Sequence, residues 1–226
     1  MFLVEMSGDD DLKAVAPHFL CQLHADFVGK LRRAGVHNVL ALRGDAPRGA
    51  SGWDWNAGHF HNARDLVHFL RSEHPDLGIA VAGYPAPHPD AATFASDRAY
   101  LADKLRAGAD FVITQLFFDV REYESLVSSL RAAGLEAPVI PGILPIQSFD
   151  SLRRVLSLCG ANIPGKLYLE LEAAHNKGGV EAVREAGLRF AVRQIRQLLD
   201  CGAPGIHLYS LNKSEMCLRL VEEAGL

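Results

Sequence analysis

Several features that would narrow the function at once are missing from this 226-residue chain. No apolar run reaches the roughly 18 residues that a membrane span requires, so a membrane protein is not expected. Lys and Arg number 23 against 27 Asp and Glu, a formal net charge of -4, which leaves no basic field to hold nucleic acid or an anionic membrane. Cysteine is scarce, and Cys21, Cys159, Cys201 and Cys217 form no CxxC pair and no metal-type spacing. They fit reduced, mostly buried thiols and a cytoplasmic location rather than a disulfide framework. Met1 to Met6 is apolar but carries Glu5 and runs into Ser7-Gly8-Asp9-Asp10-Asp11, whereas a signal peptide has a basic start and a longer apolar core. No GxGxxG, P-loop or GxSxG motif occurs. His59, His61, His68 and His74 suit no metal motif, and no metal site is expected.

What is present is a repeated alternation. Helical stretches end at Ala34-Gly35, Ala107-Gly108, Ala133-Gly134 and Cys201-Gly202, where glycine suits a left-handed cap. Short apolar runs follow at Val36–Leu42, Phe111–Leu116, Pro138–Leu144 and Gly205–Leu211, and a fifth, Gly78–Tyr84, follows His74-Pro75. Continuously apolar runs of this length are the mark of parallel strands buried on both faces. Between them, apolar residues recur at i, i+3, i+4, i+7: Ala63, Leu66, Val67 and Leu70; Tyr123, Leu126, Val127 and Leu130; Leu152, Val155, Leu156 and Cys159. Leu188 to Leu199 and Cys217 to Ala224 repeat the spacing. One stripe per helix packs one face on a sheet, and βαβα alternation implies a parallel sheet with right-handed crossovers. No linker or second domain is evident, so residues 1–226 read as a single domain. With His18–Gln22 as a first strand the chain supplies six strand-helix units, and Phe2–Glu5 is a weak seventh. A closed barrel of this type has eight strands; an open sheet leaves edges that favour association of copies.

In parallel α/β sheets function gathers at the carboxyl ends of strands. The polar residues fall there: Cys21-Gln22, Arg43-Gly44-Asp45, Tyr84-Pro85, Gln115, Pro145 with Gln147, and Asn212-Lys213. Arg43-Gly44-Asp45 is either a self-paired surface turn or a turn where backbone approaches a ligand. His88, in Tyr84-Pro85-Ala86-Pro87-His88-Pro89, is an ordinary loop histidine or an imidazole fixed beyond a strand end. Gln115 interrupts an apolar run and must find a neighbouring strand or a ligand. Lys104 shares a helix with Asp97, Tyr100 and Asp103, and by itself this reads as a solvated face. Trp53 and Trp55 sit in a Gly-rich loop that reads more as a flap than as a stacking platform.

Taken together, Asn38-Val39-Leu40-Ala41-Leu42-Arg43-Gly44-Asp45, Val81-Ala82-Gly83-Tyr84-Pro85 with His88-Pro89, Ala107 to Phe111 leading to Thr114-Gln115-Leu116-Phe117-Phe118, Pro141-Gly142-Ile143-Leu144-Pro145-Ile146, and His207 to Lys213 resemble the catalytic domain of the methylenetetrahydrofolate reductase family. The matched segments run in family order from about His18 to the C-terminus, and their wording is closer to the eukaryotic members.

The resemblance implies a TIM-type (β/α)8 barrel, here incomplete with about six β/α units. It implies FAD at the carboxyl ends of the strands, NAD(P)H as co-substrate, and reduction of 5,10-methylenetetrahydrofolate to 5-methyltetrahydrofolate. His18, Arg43, Gly44, Asp45, Asn62, Ala63, Tyr84, His88, Asp97, Tyr100 and Lys104 fall on flavin-contacting positions of the family. Asp45 and Gln115 are the implied catalytic pair: Asp45 disfavours an anionic reduced flavin and supports the cationic iminium of the folate, and Gln115 binds pterin or nicotinamide. Leu171, Tyr209 and Lys213 join them on the substrate side. By the same resemblance the family's first two strands and the eukaryotic regulatory domain are expected to be lacking here, and three departures bear on the site residues. Glu5 lacks the aromatics and prolines that follow the family's general-acid glutamate, Asn62 replaces a tyrosine, and Lys213 stands where the family usually has arginine, giving up a bidentate fork. The alternative to a reductase is a non-catalytic barrel remnant that binds flavin or a partner subunit.

Overall fold

A computed structural model of the chain describes residues 2–5, 26–43, 60–211 and 213–226. His18 to Gln22, Gly44, Asp45, Trp53, Trp55 and Asn212 lie outside the described residues. The elements run β1 (Phe2–Glu5), α1 (helical residues 26–33), β2 (Asn38–Leu42), α2 (Ala63–Glu73), β3 (Gly78–Gly83), α3 (Phe94–Arg106), β4 (Phe111–Thr114) and α4 (Val120–Ala132). They continue through β5 (Val139–Ile140), β6 (Gly142–Ile143), α5 (Phe149–Cys159), α6 (Gly165–Asp200), β7 (His207–Leu208) and α7 (Ser214–Ala224). The chain forms two compact units, one of Met1–Ala82 with Tyr100–Val112, the other of Gly83–Ala99 with Ile113–Leu226.

In the first unit β1, β2 and β3 pair in parallel, with Leu3 opposite Leu40 and Leu40 opposite Ala80. The weak strand Phe2–Glu5 is therefore a member of the sheet. Ile79, Ala80 and Val81 are all fully buried, as a parallel strand covered on both faces requires. α2 begins at Asn62, whose side chain accepts the Asp65 N–H at 3.1 Å, and it packs Leu66, Val67 and Leu70 inward against β2. Its last turn is tied down by Arg71, which donates to the Gly108 carbonyl (2.8 Å) and pairs with Asp110 (2.6 Å), while Asp110 accepts the Ile79 N–H (2.7 Å). One guanidinium thus satisfies carbonyls just past the ends of two helices, Gly108 after α3 and Pro75 and Leu77 after α2. The four expected caps, Gly35, Gly108, Gly134 and Gly202, all have positive φ, between 73° and 114°.

In the second unit Leu116, Phe118, Ile146, Leu152, Leu167, Leu171 and Val183 form a buried apolar cluster. α4 contributes Tyr123, Leu126 and Leu130, and α5 starts at Ser148, which caps the Ser151 N–H at 3.1 Å. The run Pro138–Leu144, expected as one strand, is divided at Pro141 into β5 and β6, which belong to separate sheets. Proline has no N–H to continue a ladder. β6 pairs in parallel with β7, Gly142 opposite His207 and Ile143 opposite Leu208.

α6 was legible only in its second half. Its helical run breaks at Gly178 (φ -155°, ψ 21°) and Gly179 (φ 63°, ψ -146°), the latter a conformation open essentially to glycine alone. Arg193 reaches Glu170 at 3.2 Å across 23 residues, which a straight helix would hold roughly 34 Å apart. α6 is therefore a helical hairpin folded at the glycine pair, and its second arm carries the buried Gln194, whose amide donates to the Phe117 carbonyl (2.8 Å).

Candidate functional site

Arg43, Tyr84, Gln115 and Tyr209 share one property: each is the first residue past the carboxyl end of a strand, β2, β3, β4 and β7 respectively.

In the first unit, Lys104 corrects the reading of α3 as a solvated face. It is 6% exposed, donates through Nζ to the Ala82 carbonyl at 2.5 Å, and lies 5.5 Å from the centre of the Tyr100 ring. An ammonium this deep needs both the carbonyl and the ring to offset lost hydration. Burial raises the Tyr100 phenol above its ordinary range, Asp65 and Asp103 adding to the effect while Arg64 and Arg43 oppose it. Asn62 spends its side-chain oxygen on the cap of α2, and Ala63 is that helix's first residue.

In the second unit the loop after β3 brings Tyr84 and His88 into an edge-to-face pair, ring centres 4.7 Å apart. His88 accepts the Asp90 N–H through Nδ1 at 3.0 Å. Behind them is a residue that no motif in the sequence marks. Arg98 is 9% exposed and donates to the carbonyls of Tyr84 and of Pro85 (2.8 Å for the latter). Asp97 lies 3.6 Å from its guanidinium.

Gln115 takes its place through its backbone, whose N–H donates to the Gly83 carbonyl at 2.7 Å. Its side-chain oxygen accepts the Leu116 N–H at 2.9 Å, so the amide NH2 is the end left to serve as a donor. Beside it, buried Thr114 is bonded twice. Its hydroxyl accepts the Gly142 N–H and its carbonyl accepts the Tyr209 hydroxyl, both at 2.9 Å. Tyr209 stands edge-on to His207, ring centres 4.8 Å apart. Leu171 is fully buried in the apolar cluster against which Tyr209 packs. Lys213 is exposed and bonds Ser210 through its backbone (2.8 Å), closing a turn that holds Leu211 at φ 48°, a strain of about 1–3 kcal/mol for a residue other than glycine.

Burial, aided by Tyr84 and Cys159, pushes the Tyr209 phenol up to about 12. A raised acid pKa means that the neutral form is favoured on folding. Its stabilisation is complete below pH 10, the unfolded value, and disappears as pH climbs toward 12. A rise from 10 to about 12 corresponds to about 2–3 kcal/mol. Burial also raises the Tyr100 and Tyr123 phenols, so the step that phenolate absorbance should assign to Tyr209 is the one near 12, and Tyr209→Phe is expected to lose it together with the matching part of the alkaline stability loss. A step near 12 that survives in Tyr209→Phe refutes the assignment. Burial likewise lowers the His207 imidazole below its usual range.

A cavity of about 460 Å³ lies at the opposite, amino end of β5, lined by Tyr123, Glu124, Arg131, Pro138, Cys201 and Pro204 among others. The Cys201 thiol donates to Glu124 at 3.2 Å, and that bond raises its pKa. A thiol held protonated is a poor nucleophile, so no chemistry is assigned there. Among the described residues no group of His, Cys, Asp and Glu is placed to hold a metal, and no helix is long and apolar enough to cross a membrane.

A family model described as methylenetetrahydrofolate reductase matches residues 20–225. Methylenetetrahydrofolate reductase (NADH) 1 of Arabidopsis thaliana is 38% identical over 206 residues, 87% of this chain and 34% of that protein. The probable methylenetetrahydrofolate reductase (NADPH) of Caenorhabditis elegans is 37% identical over 92% of this chain and 32% of its own length. The 5,10-methylenetetrahydrofolate reductase of Salmonella typhimurium is 32% identical over 93% of this chain and 70% of its own. The chain thus spans about a third of these eukaryotic relatives and most of the bacterial one. Among solved structures, an uncharacterized protein from Clostridium thermocellum that binds two copies of 5-methyl-5,6,7,8-tetrahydrofolic acid shares the fold. Its TM-score is 0.51 at 15% identity, over 100% of this chain and 94% of that one.

Proposed function

The chain belongs to the methylenetetrahydrofolate reductase family, and from that premise we propose that it is the FAD- and folate-binding barrel of a cytoplasmic enzyme that reduces 5,10-methylenetetrahydrofolate to 5-methyltetrahydrofolate with NAD(P)H. The observation that carries this reading is that Arg43, Tyr84, Gln115 and Tyr209 each follow directly on a strand, where parallel α/β folds bind ligands.

The donor set fits FAD. A flavin dinucleotide combines a pyrophosphate with flat rings. The family positions here include a buried ammonium in contact with a tyrosine ring, Lys104 with Tyr100, and an aromatic pair, Tyr84 with His88. When bound, FAD supplies the hydride chemistry. Arg43 and Lys104 would hold the pyrophosphate, which favours fixed cations. Tyr84 and His88 offer ring surfaces, and His18, Gly44, Asn62, Ala63, Asp97 and Tyr100 complete the flavin positions. Asp45 stabilises the iminium cation of the opened folate ring. Gln115, its oxygen already engaged by Leu116, donates its NH2 to a carbonyl of pterin or nicotinamide. Tyr209 presents its ring rather than its hydroxyl, because Thr114 holds the latter. Leu171 supports that ring from the core, and Lys213 offers a single ammonium to the folate carboxylates.

The test is reconstitution of the 226-residue chain with FAD, followed by absorbance at about 450 nm, where bound flavin absorbs. Bleaching by NADH or NADPH and recovery on adding methylenetetrahydrofolate is the expected result. Retention of FAD without either step reduces the chain to a flavin-binding module, and failure to retain FAD overturns the reading.

A further inference from the structure

We propose that Arg98 is the positioning residue of this site: by holding the Tyr84 and Pro85 carbonyls it fixes the turn that presents the Tyr84 and His88 rings to the flavin. The inference rests on the reading of those two rings as flavin contacts, but its geometry stands without it.

The loop cannot hold itself. Between Tyr84 and Pro89 every second residue is proline, so half of these residues have a carbonyl to satisfy and no N–H to offer. The far half of the loop has its own bonds, Asp90 N–H to the His88 ring and Ala91 N–H to the His88 carbonyl, 3.0 and 2.9 Å. The near half has Arg98, whose two terminal nitrogens donate to consecutive carbonyls, Tyr84 and Pro85. Two donors in a fixed plane on adjacent carbonyls set the direction of the chain at the point where the Tyr84 side chain leaves it. The edge-to-face contact with His88 depends on that direction.

Arg98 is itself built in. It stacks on the Phe94 ring one turn earlier in α3 (4.4 Å), and Asp97, with only 11% of its side chain exposed, lies alongside. Burial lowers the guanidinium below the ordinary arginine range, and Asp97 opposes the shift. A cation kept in so costly a place, with its Nε also buried and unbonded among the described residues, is not a solubility device. Leucine would fill the volume but leave both carbonyls without their donor and the Asp97 carboxylate without the neighbouring positive charge.

The experiment compares wild type, Arg98→Leu and Arg98→Lys as full chains, with two readouts. The first uses no flavin. The His88 ring protons sit against Tyr84 and carry a ring-current shift, read by NMR at one fixed pH, and His207 against Tyr209 is the internal control. Arg98→Leu is expected to abolish the His88 shift and leave that of His207, and Arg98→Lys, with a single nitrogen, to restore part of it. The second readout is the FAD dissociation constant, expected to rise by about tenfold or more in Arg98→Leu through lost preorganisation. An unchanged His88 shift in Arg98→Leu overturns the proposal, as does a lost shift with FAD affinity within about twofold of wild type. Should Arg98→Leu not fold, the lysine variant decides by the same two readings. If the wild type binds no FAD, the functional reading falls, and the His88 shift alone decides whether Arg98 sets the loop.

Discussion

Gly142→Ala is expected to lower stability by about 2–4 kcal/mol and to unseat Tyr209. A Cβ at position 142 would lie 2.3 Å from the Thr114 carbonyl oxygen and 2.6 Å from Cε2 of Tyr209. These are the acceptor and the ring of a single hydrogen bond. Neither can yield cheaply. Thr114 is fully buried at the end of β4 and also receives the Gly142 N–H, and Gly142 is paired with His207 in the β6–β7 ladder. The added methyl must either part that ladder or expel the ring, and expulsion leaves a buried carbonyl without its donor. Two measurements check this: the melting temperature, and the alkaline titration of the phenol. If the ring is expelled, the late tyrosine ionisation moves back toward 10, the ordinary value. A melt and a titration both identical to wild type would show that the close approach is not real.

Leu171→Ala is expected to cost about 3–5 kcal/mol, the loss of a fully buried leucine plus the cavity left behind. For a chain of 226 residues that is a fall in Tm of roughly 10 °C. Leu171 has no exposed surface and sits among Leu116, Ile146, Leu167 and Val183. Family resemblance gives the position a role in covering ligands, whereas its burial gives it one in the core. The two are separable by experiment. A core role predicts the same fall in Tm with and without FAD and folate. A fall seen only in their presence, with the unliganded melt unchanged, would assign Leu171 to the ligands alone.

The elements that were legible in the sequence are those whose pattern is set by local chemistry. The stripes Leu66-Val67-Leu70 and Tyr123-Leu126-Leu130 became buried helix faces, and the four glycine caps took positive φ because backbone sterics leave few alternatives. The first arm of α6 was not read. It starts after Pro164 with no side-chain cap, and the Gly178-Gly179 pair resembles loop punctuation. Pro141 is the local signal that Pro138–Leu144 is two strands. Site residues divide in the same way. Gln115 stands out as a polar residue interrupting an apolar run, whereas Tyr209, inside the run Gly205–Leu211, is singled out only by the family resemblance. Arg98 is marked by nothing in the sequence and Lys104 by the resemblance alone, because a charged residue on a helix normally faces water, and the carbonyls of Ala82, Tyr84 and Pro85 that help to bury them are distant in sequence.

The glycine hinge of α6 bears on the order in which the chain assembles. The Tyr209–Thr114 bond closes a loop of 95 residues, and the β6–β7 ladder can form only once the chain between Gly142 and His207 has been gathered in. Closing long loops is slow and entropically costly. Much of that intervening chain is the α6 hairpin, whose arms meet across only 23 residues. A hairpin that zips locally contracts the span before the ladder has to close it. Gly178 and Gly179 therefore act on the folding rate, by shortening the search that ends with Tyr209 reaching Thr114.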